Sequence, residues 1–180
     1  MNLAKKIVGV AAGVALVAGV GMAAAPAATA KTTYSGTTLI SFDKSLAPIV
    51  KGIIAVAPAK ISGTKLTFPV TNVTTKGTVV LHEGAVKIGA VEVSNPVITV
   101  DAAKKTATVT VTSALGPIEL FTAKHFTIKS QTKKQQVWQG DLHLTTNTLV
   151  VDTLNSAVGA DVFSPGMGLG QIRTTINIKK

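Results

Sequence analysis

The 180-residue chain has no cysteine, only 8 acidic side chains, and just five Phe, one Trp and one Tyr. Each shortage excludes something. Without Cys there is no disulfide framework, thiolate zinc site, iron–sulfur cluster or cysteine nucleophile. A Gly-x-Ser-x-Gly nucleophile elbow is also missing, and the few carboxylates form no evident pair of the kind that cleaves glycosides. The residues recommend no catalytic group, so the chain is read as non-enzymatic. Arg173 is the lone arginine. Specific nucleic-acid reading favours Arg on base edges and aromatics for stacking, and both are scarce here.

The hydrophobicity that is present is concentrated at the start. Lys5 and Lys6 precede a run from Ile7 to Ala25 built only of Ala, Val, Gly, Ile, Leu and Met, then Pro26 and the small-residue signature Ala28-Thr29-Ala30. This pattern predicts a signal peptide over 1–30 and a single secreted, extracellular domain over 31–180 with no transmembrane segment of its own. The run is nearly long enough to span a bilayer, but its Ala and Gly content and the cleavage signature favour removal. The formal charge is +10. Setting Lys5 and Lys6 aside leaves 16 bases against 8 acids, about +8, on the secreted part. For a secreted protein that excess suits solubility and weak attraction to anionic cell-wall polymers or lipid head groups.

Thr and Val dominate the remainder, which favours strands over helices. Lys65 to Val70, Glu92 to Val100 and Thr106 to Thr112 alternate with period two, and further strands are expected over Thr78 to His82, His125 to Ser130, Val137 to Leu144 and Ile172 to Ile178. Turns are expected at Ser62-Gly63, Lys76-Gly77, Gly116-Pro117 and Gly140-Asp141. Helical spacing appears twice. Between Ser41 and Lys51 it runs through Phe42, Leu46, Ile49 and Val50; after Thr145 or Thr146 it runs through Leu149, Val150, Leu154 and Val158, stopped by Gly159. The fold class is therefore mainly β: an antiparallel sandwich or partly open barrel with two short α-helices.

No metal site is expected. His82-Glu83 lacks the second His of a zincin, and Asp141 with His143 supplies only two donors. The loop Pro165 to Gly170 has no Lys-Ser/Thr pair for a phosphate and reads as a turn before a last strand.

Six segments, taken in order, carry a resemblance: Thr38 to Phe42, Thr67 to Val70, Val80-Leu81-His82-Glu83-Gly84, Val93 to Val97, Leu154 to Gly159, and Phe163-Ser164-Pro165-Gly166. Together they resemble the HtaA family of secreted or surface-exposed actinobacterial domains, in its short single-domain form. The resemblance implies a mostly antiparallel β fold with two short helices, and haem uptake or binding at the cell surface through a Tyr ligand supported by a His. His82 stands in the family's His-x-Gly segment and is the expected haem contact. The helix near Ser41 to Lys51, where the family carries its Tyr, has none. Tyr34, the only tyrosine, lies upstream of the matching segments, close to the start of the secreted chain, where a preorganised iron ligand is not expected. The leading expectation is an envelope-associated domain that binds or relays haem. The rival is a structural or adhesive envelope protein without a haem site, holding anionic polymers by its basic surface.

Overall fold

The computed structural model describes residues 32–74 and 78–179; the expected signal peptide and the Lys76-Gly77 turn lie outside the described residues. Strand β1 (Thr33–Phe42) leads through a 3₁₀ turn (Lys44–Leu46) into α1 (Ala47–Val50), followed by β2 (Ile53–Val56), β3 (Lys60–Ser62) and β4 (Lys65–Val73). Then come β5 (Val79–His82), β6 (Ala85–Ile88), β7 (Val91–Asp101), β8 (Thr106–Ser113), β9 (Gly116–Gln131) and β10 (Gln135–Leu144). Helix α2 (Thr148–Val158) precedes the last strand, β11 (Gly168–Lys179).

All described strand pairs are antiparallel. They close a ring in the order β1-β4-β5-β7-β8-β9-β10-β11 and back to β1. Strands β2 and β6 extend from β7, and β3 from β4, outside that ring. An eight-stranded ring has an interior about wide enough for side chains to fill. Here they fill it: Ile98, Phe126, Leu142, Ile172 and Ile176 are among the most deeply buried, and the Phe126 and Trp138 rings stack with centroids 5.7 Å apart. A ligand must therefore bind at an end or on the outer face.

The two ends differ in their connections. At one end the β4–β5, β7–β8 and β9–β10 turns are short, and Thr33 and Lys179 pair where β1 begins and β11 finishes. The other end carries α1, α2, the added strands β2, β3 and β6, and the β8–β9 turn.

Local chemistry explains most of these elements and corrects several expectations. In β8, Ala107, Val109 and Val111 face the core while the intervening threonines do not, as their alternation requires. Helix α2 is capped by Asn147, whose side chain accepts from Leu149 N–H, and not by Thr145 or Thr146. Thr145 is instead buried, and its hydroxyl accepts from Asn147 N–H. Gly159 ends the helix in the left-handed conformation (φ 72°), where a Cβ is costly. The first helix is shorter than its hydrophobic spacing suggests: Phe42 completes β1, and Pro48 sits in the first turn of α1, where its missing N–H costs nothing. Gly140 and Asp141 do not form a turn. They lie inside β10, and Gly140 is there because a Cβ would come 2.6 Å from the Lys124 carbonyl oxygen across the pair.

Candidate functional site

His82 closes β5 opposite the Asn95-Pro96 step of β7, where Asn95 takes a positive φ of 49° and the β7–β8 register shifts. Pro96 has no N–H to give to a ladder, but its carbonyl is free to accept. His82 Nδ1 donates to that oxygen at 2.8 Å. A carbonyl only accepts, so Nδ1 carries the proton of a neutral ring and Nε2 is left as an acceptor. Thr38 Oγ1 lies 2.6 Å from Nε2 and donates to it; Thr174 Oγ1, 2.8 Å from Thr38 Oγ1, completes the chain. Thr38 and Thr174 face each other across the β1–β11 pair. Burial pushes the His82 pKa down from its usual 6.5, against smaller opposing effects of backbone hydrogen bonds. The result is a neutral, fully partnered imidazole only 4% exposed.

That environment does not suit iron. Expected as a haem contact, His82 has both ring nitrogens committed inside the barrel and no face open to a ligand. Tyr34 is not part of a loose terminus. It pairs with Ile178 in β1, its ring partly buried against the core, at the end of the barrel away from both helices. His82 bonds to Thr38 on the same strand as Tyr34, but no hydrogen bond joins the two expected residues.

The other histidines also have local partners. His125 Nδ1 meets Asp141 Oδ2 at 2.8 Å on the outer face, and His143 Nδ1 donates to the Gly166 carbonyl at 3.2 Å. Asp141 and His143 line an open polar recess of about 410 Å³ with Asp43 and Gln171. Among the described residues no three metal-ligating side chains converge.

Concave apolar surface is found beside α2. On one flank, Ala90, Val91 and Val93 of the β6–β7 region, Leu115 and Ile118 of the β8–β9 hairpin, and Leu149, Val150 and Leu154 of α2 line a groove of about 400 Å³. Near the helix C-terminus, Pro48, Ile49, Ile88, Ala157, Val158 and Val162 line a second groove of about 370 Å³. Leu115 is 96% exposed and Leu149 76% exposed at the first groove's rim. The helical spacing placed Leu149 on the buried stripe; only Val151 and Leu154 are fully buried on α2. A leucine in the turn sequence Ala114-Leu115-Gly116-Pro117 was a signal available in the sequence, because nothing in a tight surface turn buries it.

No protein-family model matches the chain, and no curated protein matches it in sequence. Solved structures do match in shape. The C-terminal domain of HtaA from Corynebacterium glutamicum superposes with a TM-score of 0.59, covering 82% of this chain and 99% of that domain at 12% identity. The fold is HtaA-type. HtaB, a haem-binding protein of the same organism, superposes with a TM-score of 0.57, covering 83% of this chain and 96% of its own at 17% identity. The HtaA-type fold thus spans nearly the whole described chain, as the resemblance of its ordered segments implies. At such identities it speaks for architecture, and each binding residue must be judged on its own surroundings.

Proposed function

We propose that this protein is a secreted, non-enzymatic binding domain of the cell envelope that takes haem on the apolar grooves beside α2. The carrying observation is the first groove, walled mainly by aliphatic side chains, with Glu92, Ser113, Asn147 and Thr153 as its polar members and Leu115 and Leu149 held in water at its rim. Its volume falls within the range of small-molecule sites, about 300–1,000 Å³. Two exposed leucines bordering one cleft gain favourable burial when a flat apolar ligand covers them. HtaB, with the same fold, is a haem-binding protein, which selects haem among flat apolar ligands.

The residues present do not fit a haem ligated through iron: no His or Tyr lines either groove, and His82 is enclosed. The ligand is therefore held by the faces and edges of its ring, and the protein forms no bond to the metal. His82 ties β5 to β7 through Pro96 and, by way of Thr38 and Thr174, to β1 and β11.

Titration of the purified protein with hemin and with iron-free protoporphyrin IX tests this. Both should bind saturably with affinities within about threefold, and Leu115→Asp with Leu149→Asp should lower both by at least about tenfold, since each change puts a charge on the apolar rim. Saturable binding of hemin alone, lost in His82→Gln, would instead assign the iron to His82. Non-saturating titrations of both would remove the proposal.

A further inference from the structure

The basic residues are dispersed along the chain but not over the surface. Lys129, Lys133 and Lys134 lie on the β9–β10 hairpin, and Lys179 ends β11 beside it, with Ile178 N–H bonded to the Lys134 carbonyl at 2.7 Å. Lys104 and Lys105 occupy the β7–β8 turn, fixed to the base of that hairpin by Phe126 N–H donating to the Lys105 carbonyl at 2.8 Å. All six are exposed. Among the described residues the one acid at this end is Asp101, which pairs with Lys104 at 3.3 Å. Elsewhere in the described residues seven bases meet seven acids. Among the described residues the excess of bases over acids is therefore found at the end away from the helices.

We propose that this lysine-rich end is a docking surface for a linear, phosphate-bearing polymer of the cell envelope. Five of the six lysines make no ion pair among the described residues, so their charge is available to a partner. The hairpin from Lys129 to Gln136 contains only Lys, Ser, Gln and Thr, side chains that hydrogen-bond phosphate and hydroxyl oxygens. Its turn is fixed: Thr132 Oγ1 accepts from Lys134 N–H and Gln135 N–H, and the Gln135 side chain donates to Asn177 at 3.0 Å. Lysine on such a support acts as a point charge that tolerates many phosphate geometries, which suits a repetitive polymer. The absence of Arg and exposed aromatic rings from this end disfavours nucleic acid. Ile128, 40% exposed, is the one large apolar side chain exposed there among the described residues, too little for insertion into a membrane. The surface is at the opposite end of the barrel from the proposed haem grooves, so polymer attachment and ligand binding do not compete.

Binding of the whole protein to linear inorganic polyphosphate, followed by fluorescence anisotropy across a salt series, tests the assignment. The wild type should bind saturably, with log affinity falling linearly with log salt as counterions are released. Lys129→Glu, Lys133→Glu and Lys134→Glu together should weaken binding at low salt by at least about tenfold and flatten the salt slope. Lys44→Glu, Lys51→Glu and Lys65→Glu change the net charge equally at the helix end and should weaken it less than about threefold, because salt screens charges beyond roughly 8–10 Å. Unchanged urea midpoints in both variants establish that each is folded. Equal losses in the two variants would overturn the proposal in favour of overall charge. Absence of polyphosphate binding would also overturn it, including where anionic phospholipid vesicles bind and thereby identify a lipid surface.

Discussion

The two ends of this barrel are made from one ring of strands and share almost nothing else. Among the described residues, the end with short turns carries six lysines and a single aspartate, and apart from Ile128 exposes no large apolar side chain. The helix end is electrically balanced, carries both helices and three added strands, and leaves Leu115 and Leu149 in water beside apolar grooves. The contrast separates two kinds of residue. Those in the ring, such as Ile98, Leu142 and Ile172, fill the interior and specify the architecture, whereas the connections at each end set what the surface can hold.

The strongest challenge to this contrast is Leu154→Ala. Leu154 is buried on the core face of α2 and also lines the first groove, so truncation should cost about 2–5 kcal/mol in urea unfolding and weaken porphyrin binding. The hairpin lysine variant should stay within about 0.5 kcal/mol of wild type. If Leu154→Ala left the unfolding midpoint unmoved, the helix end would be an appendage with no share in the cooperative core.

Between the ends, Thr38→Val tests whether the polar chain belongs to the shared ring. It keeps the shape but leaves His82 Nε2 and the Thr174 hydroxyl without a buried partner, and should lower stability by about 1–3 kcal/mol. Polyphosphate affinity should be unchanged. A loss of polymer binding in a stably folded Thr38→Val protein would show that the lysine end depends on the interior and is not an independent surface.

A smaller effect comes from acid. Burial lowers the folded-state pKa of His82 below the 6.5 of an exposed ring, so as pH falls the unfolded chain takes up the proton first. The stability contributed by the neutral ring is therefore complete above about pH 6.5 and declines below it. Urea midpoints should fall between about pH 7.5 and 5.5, before most carboxylates titrate, and His82→Gln should flatten the decline. An undiminished slope in that variant would move the acid sensitivity from the ring to the surface.

How much of this was legible in the sequence depended on whether neighbours in the chain carried the signal. The β7–β8 pair and the stop at Gly159 were readable because alternation and a helix end are local patterns. Strand β1 was not, since its inward Thr38 is polar and serves His82, 44 positions away, which breaks the expected apolar alternation. Strand β9 runs sixteen residues, but its register shifts against both β8 and β10 change the phase of its side chains, so only the stretch from His125 onward read as strand. The segment resemblance correctly anticipated the architecture. It did not reveal that His82 is enclosed, which depends on Pro96 and Thr38 arriving from other strands. The grooves and the lysine end were equally hidden: each gathers residues from three or more distant segments, and only closure of the ring makes them neighbours.

That closure has a consequence for how the protein comes into being. The seam joins β1 to β11 over ten paired positions, from Thr33 opposite Lys179 to Phe42 opposite Gly170, so the first and last described strands are partners with nearly the whole domain between them. A pairing of such long sequence separation is slow to form, because the entropy of closing the loop must be met before the contact contributes. The β1 edge must therefore wait for β11 to be delivered. A polypeptide that cannot seal itself early stays threadable, as the secretion we propose requires.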